Sequence, residues 1–245
     1  ASNYTSAGGG SGNMSGCTCT VNSGVNVTIS QDDTLTITNA VINNGGLLTF
    51  ENNASLLQTT NAVNSGNIIY KRISTPMKNF DFTYWSSPVT GQILYNLSPN
   101  TLWDKYFSYK GNMWKQEVAS TTIMTPGKGY IIRTPKAGLW GNGENVIFPY
   151  SQPVQFTGVP NNGNITAEPV VAGNFYLIGN PYPSALDADK FLFANPNPNN
   201  SAILDGTIYF WTHSTAIQQN GSIYTYNISD YASYNGVGGA GTLPA

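Results

Sequence analysis

Short apolar segments that recur about every ten residues place the strongest constraint on how this chain can fold. Within residues 17–72 each segment spans four or five residues, and Asn, Asp or Gly residues separate it from the next one. Such runs predict strands, and their even spacing is typical of a β-meander or of the rungs of a β-solenoid. Apolar residues on one side of each strand and Asn or Gly at the corners favour the solenoid, and an ordinary antiparallel sheet is the alternative. The predicted strands are residues 25–29, 34–38, 47–50, 55–58 and 67–70.

The two flanks of this segment have different compositions. Residues 1–16 are rich in Gly and lack an apolar pattern, so we expect a flexible leader. From residue 73 the predicted strands are longer and more aromatic, which is typical of a sandwich or jelly roll. The chain is thus predicted to be all-β, with a short β-solenoid-like or meander unit at 17–72 and a jelly-roll-like β-sandwich at 73–245.

One short helix is expected near residues 184–192. Ser184 is the expected N-cap, and Asp187 at the third helical position would interact favourably with the helix dipole. Asp187 and Asp189 are also the candidates for a calcium site, because hard cations bind clustered carboxylate oxygens. The chain has no Asp-rich loop of regular calcium spacing, so capping and a solvated helix face explain this pair better.

The low charge content excludes several classes of function. Charged residues make up 9% of the chain, against roughly 25% in typical soluble domains. With a formal net charge of −2 there is no basic field to hold nucleic acid. No apolar run approaches the ~20 residues of a membrane span, so we expect no membrane insertion. A polar surface built from Asn, Ser, Thr and Gly suits extracellular β-proteins, and we therefore expect a secreted or cell-surface protein.

Cys17 and Cys19 are the only cysteines in the chain. In an oxidising compartment they would form a small disulfide loop, although so short a spacing strains the bond unless the backbone bends sharply. Two free thiols are the alternative. His213, the sole histidine, lies far away in sequence, so a zinc site is not expected. It is interpreted as a structural histidine at the end of a predicted strand.

Aromatic side chains are the best functional lead, because an exposed Trp or Tyr ring can stack on a sugar ring. Most of the five tryptophans are expected in the core. Trp140 lies in a Gly-rich loop and is the tryptophan most expected to be exposed. Tyr209 and Trp211, on one face of a predicted strand, complete the candidate ligand-binding set.

Three segments, residues 84–89, 124–130 and 177–185, resemble a module of large surface proteins that Bacteroidota export through the type IX secretion system. The part of the last segment with the sequence Gly-Asn-Pro-Tyr-Pro-Ser-Ala is the most specific. The resemblance implies a surface location and an adhesin-like architecture, and it supplies no catalytic residues.

Two further expectations come from this resemblance. Residues 33–35 resemble the short O-glycosylation motif of such proteins, which implies modification of Thr34. The resemblance also implies another strand and a sorting domain beyond residues 241–245. We therefore expect an open sheet edge that a strand from another chain or domain would fill.

These patterns predict a non-catalytic, secreted or cell-surface, structural or adhesive module of a larger exported protein. A carbohydrate-binding module is the first alternative, and a polysaccharide-active enzyme domain is the second. The expected partners are other domains or subunits of a surface assembly, joined by strand addition, and a polysaccharide. No cofactor is expected beyond the candidate calcium ion.

Overall fold

The computed structural model describes residues 2–166, 169–194, 204 and 206–240. Within these residues the chain forms 22 strands, one short α-helix and two 3-10 helices. The helices are α1 (Ala188–Ala194), η1 (Leu94–Leu97) and η2 (Ile228–Asp230). None of them has the length and apolarity of a membrane span. The prediction of an all-β fold is confirmed.

Nine strands in the first 73 residues form a β-solenoid of about three turns. They are β1 (Tyr4–Thr5), β2 (Met14–Gly16), β3 (Cys19–Asn22), β4 (Asn26–Ile29), β5 (Thr34–Ile37), β6 (Val41–Asn44), β7 (Leu47–Phe50), β8 (Ser55–Gln58) and β9 (Ile68–Ile73). Equivalent strands of successive turns pair in parallel, in the orders β1–β4–β7–β9, β2–β5–β8 and β3–β6. Position 27 pairs with 48 and position 35 with 56, so one turn takes about 21 residues. This parallel pairing identifies the solenoid and rules out the meander, whose neighbouring strands would be antiparallel.

The corner after β6 shows why Asn and Gly recur between the strands. Asn43 Oδ1 accepts a hydrogen bond from the N–H of Gly46 (2.8 Å), and Asn43 Nδ2 donates to the carbonyl of Asn67 (2.6 Å). Gly66 has a φ of +76°, and a Cβ there would lie 2.0 Å from the carbonyl oxygen of Asn43. Glycine alone fits a left-handed backbone this close to another segment. The Asn and Gly spacing therefore follows from how the turns stack.

Residues 4–16 form the first turn of the solenoid, which corrects the expectation of a flexible leader at 1–16. β1 pairs with β4, and β2 pairs with β5. Between β1 and β2 the chain wraps around the buried carboxylate of Asp33, which accepts hydrogen bonds from the N–H groups of Gly8 (2.8 Å), Gly10 (3.0 Å) and Gly12 (3.1 Å). The Gly-rich composition alone predicts flexibility. The carboxylate that orders this segment lies 21–25 residues further along the chain, so the local sequence gives no sign of it.

Thirteen further strands follow in the described residues. They are β10 (Phe82–Trp85), β11 (Val89–Thr90), β12 (Tyr106–Lys110), β13 (Met113–Gln116), β14 (Tyr130–Arg133), β15 (Gly138–Leu139), β16 (Asn145–Val146), β17 (Pro153–Pro160), β18 (Ile208–Trp211), β19 (Gln218–Asn220), β20 (Ile223–Thr225), β21 (Tyr231–Tyr234) and β22 (Gly239–Ala240). The largest sheet built from these strands alone is antiparallel, with the order β10–β14–β12–β13. Smaller sheets are β18–β21–β22, β15–β16 and β19–β20.

Strand β9 joins the solenoid to the later strands. It pairs in parallel with β7 on one side and antiparallel over six residues with β17 on the other. β11 then pairs with β17, so a six-stranded sheet begins in the solenoid and ends in the second half of the chain. The boundary predicted between residues 72 and 73 therefore falls inside a continuous strand.

A single apolar core runs across this junction. Phe50 of β7, Phe156 of β17, and Tyr106 and Ile132 of the four-stranded sheet belong to one buried cluster. The four-stranded sheet and the six-stranded sheet thus bury their inner faces against each other, as the sheets of a sandwich do. Solenoid and sandwich share the apolar surface that stabilises them.

The helix begins later than the sequence predicts. The N–H of Lys190 donates to Asp187 Oδ1 (3.0 Å), so Asp187 rather than Ser184 caps α1. The carbonyl of Ser184 accepts instead from Asn180 Nδ2 (2.5 Å), which holds the preceding residues in a loop. The predicted start of the helix at residue 184 is wrong, because the carbonyl that the first helical turn would need as an acceptor is bonded to the Asn180 side chain instead.

Asp33→Asn is expected to loosen the first turn of the solenoid. Hydrogen bonds from Ser6 and from the glycine N–H groups lower the pKa of the Asp33 carboxyl, so its ionised form stabilises the folded state. That contribution is fully present above the unfolded-state pKa of about 4 and is lost as the pH falls through the lower folded-state pKa. The variant should melt at a lower temperature than wild type at pH 7, and the difference should shrink as the pH falls below about 4.

Thermal unfolding followed by circular dichroism measures this difference. Asp32→Asn is the matched control, because Asp32 is exposed and its carboxylate accepts only from the side chain of Gln31 among the described residues. Equal melting temperatures for wild type and Asp33→Asn at pH 7 would contradict the assigned role of Asp33.

Candidate functional site

A cleft of about 540 Å³ lies where the solenoid meets the four-stranded sheet. Strands β8 and β9 supply one side, the end of β10 supplies another, and residues 177–185 close the third. We refer to it as the Trp85 cleft. Its walls include Tyr70, Arg72, Trp85, Ser86, Asn180 and Tyr182.

Residues 177–185 connect the two parts of the molecule across this cleft. The N–H of Gly129, just before β14, donates to the carbonyl of Leu177 (2.9 Å). The N–H of Leu56, in β8 of the solenoid, donates to the carbonyl of Pro183 (2.7 Å). One loop is therefore anchored to both walls, which fixes the width of the cleft.

Gly179 allows this loop to lie directly on the end of β10. A Cβ at position 179 would lie 2.1 Å from Ser86 Cβ and 2.3 Å from Ser86 Oγ. Contacts this short do not occur between real side chains, so a larger residue would push the loop away from Ser86. The same close approach buries the Ser86 hydroxyl.

Two polar atoms in the wall of the cleft have no hydrogen-bond partner among the described residues. They are Trp85 Nε1 and Ser86 Oγ, and both atoms are buried. The Trp85 ring packs edge-on against Phe156 of the core, with 6.2 Å between the ring centroids, and this contact fixes the indole. A buried donor without a partner costs about 1–3 kcal/mol, and native proteins keep few of them. Both atoms lie beneath the surface of the cleft wall, so a ligand in the cleft meets the aromatic ring of Trp85 rather than these two donors.

Arg72 is the only charged side chain among the described residues that line the Trp85 cleft. Its guanidinium lies 3.8 Å from the centroid of the Tyr70 ring and donates to the Tyr70 hydroxyl. It also donates to the carbonyls of Ala54 (2.7 Å), Lys71 (2.7 Å) and Glu51 (3.2 Å). Burial lowers the pKa of this guanidinium to about 10, so it stays protonated at neutral pH. The cleft is therefore aromatic, polar and positive.

A second cleft, of about 690 Å³, shares Arg72 with the first and contains two carboxylates. Glu51 forms an ion pair with Lys71 (2.7 Å). Glu144 accepts a hydrogen bond from the Tyr150 hydroxyl (2.5 Å). These contacts give both carboxylates partners within the protein, which accounts for them as structural groups.

A buried carboxylate, Asp81, organises the residues around His213. The Nδ1 atom of His213 lies 2.7 Å from Asp81 Oδ2, and Trp211 Nε1 donates to Asp81 Oδ1 (3.1 Å). Because the carboxylate faces Nδ1, this ring nitrogen is the one that carries a proton. His213 thus lies just after β18 in a buried hydrogen-bonded pair, which is the structural placement that the sequence predicts.

Trp140 is half-buried, which corrects the expectation that it is the exposed tryptophan. The Gly-rich loop folds into the β15–β16 pair and places the indole against a small cluster formed by Met77, Val146 and Tyr150. Its Nε1 donates to a carbonyl, that of Lys136 (3.0 Å). Outside this region, the side chain of Trp103 is 77% exposed.

The other two predicted ligand-binding residues lie on β18, next to the Trp85 cleft, because the ring centroid of Trp211 lies 6.4 Å from that of Tyr84, which lines the cleft. Trp211 packs edge-on against Tyr231, with 5.1 Å between the ring centroids, and Tyr209 is exposed. Neither residue lines the cleft. A ligand role for Tyr209 and Trp211 stays a prediction.

Cys17 and Cys19 are free thiols, which corrects the predicted disulfide. Cys17 is exposed, whereas Cys19 packs against the apolar core. The carbonyl of Cys17 accepts from Asn39 (2.8 Å) and the N–H of Cys19 donates to Ala40 (3.1 Å). The backbone therefore follows the neighbouring turn of the solenoid instead of making the sharp bend that a bond would need. Burial raises the pKa of the Cys19 thiol, which keeps it protonated and unreactive at neutral pH.

Asp187 and Asp189 are each engaged within the protein. Asp187 caps α1 and lies 3.6 Å from Lys190 Nζ, and Asp189 accepts from the hydroxyl of Tyr234. Across the described ranges, no three His, Cys, Asp or Glu side chains come together as metal ligands would. A calcium role for this pair stays a prediction.

Two expectations from the resemblance concern other places in the chain. Thr34 is half-buried at the start of β5, where its N–H donates to Asn13 Oδ1 (2.7 Å), and its modification stays a prediction. The open edge expected near residues 241–245 lies outside the described residues.

Sequence patterns do not single out Trp85 as a ligand-binding residue. A signal was nevertheless available, because residues 84–89 and 177–185 are two of the segments on which the resemblance rests, and both line this cleft. In the sequence Gly-Asn-Pro-Tyr-Pro, the glycine allows close approach of another segment and the two prolines stiffen the loop. Which surface the loop covers depends on the fold and cannot be read from the pattern.

Comparison with known proteins identifies a family. The sequence matches the family described as "Domain of unknown function (DUF8693)" over residues 4–245. No curated protein and no solved structure matches the chain. The family match spans the solenoid and the sandwich together, in agreement with their shared core.

Gly179→Ala is expected to destabilise the protein by about 1–3 kcal/mol, because the added methyl group overlaps Ser86. Denaturant unfolding measures the change. Combining it with Ser86→Gly should recover part of the loss, since the overlapping atoms are then absent. Gly141→Ala is the control, because no atom lies within 4 Å of an added Cβ there. Equal effects of Gly179→Ala and Gly141→Ala would contradict the close contact between loop and strand.

Proposed function

We propose that this chain, which belongs to the DUF8693 family, is a non-catalytic adhesive module of an exported or cell-surface protein and holds a polysaccharide in the Trp85 cleft. The observation that carries the proposal is the aromatic lining of the cleft, to which Tyr70 and Trp85 both contribute. Sugar rings pack on aromatic faces. Half-buried Tyr84 and Tyr182 add aromatic surface beside Trp85.

The placement of the acidic side chains supports binding without hydrolysis. Glycosidases use two carboxyl groups on either side of the scissile bond, and no acidic residue is among the described residues that line the Trp85 cleft. The buried carboxylates elsewhere already accept hydrogen bonds within the protein. Asp230 accepts from the N–H of Thr215 (2.7 Å), and Glu117 accepts from the hydroxyl of Ser108.

The proposed surface location is supported by composition and by the resemblance of residues 177–185. A weakly charged surface of Asn, Ser, Thr and Gly and a stacked β-solenoid suit a module exposed outside the cell. Such a module would be one part of a larger exported protein. Its other proposed partners are neighbouring domains or subunits, joined by strand addition.

Trp85→Phe is expected to weaken polysaccharide binding while the fold is retained. The change keeps an aromatic ring against Phe156 but reduces the aromatic surface that Trp85 offers to the cleft. Contacts with an aromatic face are worth about 0.5–1.5 kcal/mol, so the dissociation constant should rise roughly 2- to 10-fold. The wild-type chain is first tested for binding to a panel of neutral and acidic polysaccharides. Isothermal titration calorimetry with each polysaccharide that wild type binds then measures the change in the dissociation constant.

Trp103→Phe is the matched control, because Trp103 is exposed and does not line the cleft. It should leave the dissociation constant unchanged. The proposal fails if wild type retains no polysaccharide of the panel, or if Trp85→Phe binds every retained polymer as wild type does.

A further inference from the structure

We infer that the Trp85 cleft selects sugars that carry a carboxylate, and that Arg72 is the residue that determines this specificity. The inference rests on the proposed function and deepens it, because it names the chemical class of polysaccharide. It starts from the charge of the cleft, in which Arg72 has no acidic neighbour among the described lining residues.

Arg72 forms no ion pair within 4 Å among the described residues. Among the described residues, Lys71, Lys105, Lys115 and Lys190 each lie beside a carboxylate, and none of the ion pairs includes Arg72. The oxygens that Arg72 contacts are three carbonyls and one phenol, which are all neutral. A half-buried cation without a counter-charge attracts an anion more strongly than an exposed one does, because less water screens it.

The same contacts hold the guanidinium in one place. Three carbonyls bind its terminal nitrogens, and the ring of Tyr70 covers one face. A ligand therefore meets a cation that is already ordered, and binding does not have to immobilise a long side chain. The fixed charge acts mainly through its field, since neutral oxygens occupy most of its N–H groups.

The rest of the wall fits a sugar better than a small inorganic anion. Trp85 and Tyr182 offer aromatic surface on which a sugar ring can pack, close to the charge of Arg72. A uronic acid combines the two matching features in one residue: an apolar ring face and one negative charge. Polymers of uronic acids are therefore the class of ligand that this cleft fits.

The test compares polygalacturonate with its fully methyl-esterified form, using the whole chain. Esterification keeps the sugar ring and the linkage but removes the negative charge. The attraction between a carboxylate and a half-buried cation is worth enough to predict at least about a tenfold tighter binding of the acid form at low salt. Added sodium chloride should weaken binding of the acid form and leave binding of the ester nearly unchanged.

Variants assign the preference to one residue. Arg72→Gln should bring the ratio of the two dissociation constants close to one, because it removes the charge of the cleft. Lys71→Gln is the matched control, since Lys71 is the neighbouring cation, is paired with Glu51 and lines the other cleft. It should leave the ratio as in wild type. The salt titration of the wild-type chain provides the same test if Arg72→Gln does not fold.

The outcomes separate this inference from the proposed function. Equal binding of acid and ester by wild type overturns the role of Arg72 and leaves polysaccharide binding in place. Loss of the preference in Lys71→Gln and its retention in Arg72→Gln also overturns the inference. Failure of wild type to bind any neutral or acidic polymer overturns the proposed function itself.

Discussion

The antiparallel pairing of β9 with β17 is the interaction on which the rest of the structure depends. The last turn of a solenoid exposes a strand edge that needs a partner. Here β17 supplies that partner over six residue pairs, and the buried amide of Asn64 donates to the carbonyl of Pro160 (2.9 Å) at the end of the pairing. A parallel stack is thereby converted into the edge of an antiparallel sandwich, and one apolar core serves both.

The same junction creates the Trp85 cleft. Tyr70 and Arg72 lie two residues apart on β9, so they occupy the same face of that strand. Phe156 of β17 pairs with Tyr70 and packs behind the Trp85 ring. The loop at 177–185 then closes the space, because it is hydrogen-bonded both to β8 and to Gly129, the residue just before β14. Residues from four distant parts of the chain thus meet only because β9 and β17 are paired.

The sequence predicts well what short-range patterns determine. Strands β4, β5, β7 and β8 follow the apolar periodicity and the Asn and Gly corners, because each corner uses residues of the same or the next turn. Contacts over long sequence separations are what the patterns miss. The Gly-rich first turn needs Asp33, and β17 has proline at both ends, a residue that strand patterns treat as a break.

The candidate site was harder to predict for the same reason. Trp140 lies in a Gly-rich segment that would be an exposed loop if it did not pack on Met77, Val146 and Tyr150. Trp85 lies in a strand, where a tryptophan is expected in the core, and its ring both packs on Phe156 of the core and lines the cleft. Segments 84–89 and 177–185 stand out in the sequence, but their meeting at one cleft is a property of the fold.

The most direct test of the account is to follow the five tryptophan indole N–H signals by ¹⁵N NMR while a galacturonate oligomer is added, with each signal assigned by a Trp→Phe variant. The account predicts that the Trp85 signal moves saturably, because a sugar packs on its indole ring, and that the signal of exposed Trp103 stays in place. Movement of the Trp103 or Trp140 signal with a static Trp85 signal would contradict it and would place ligand binding elsewhere on the molecule.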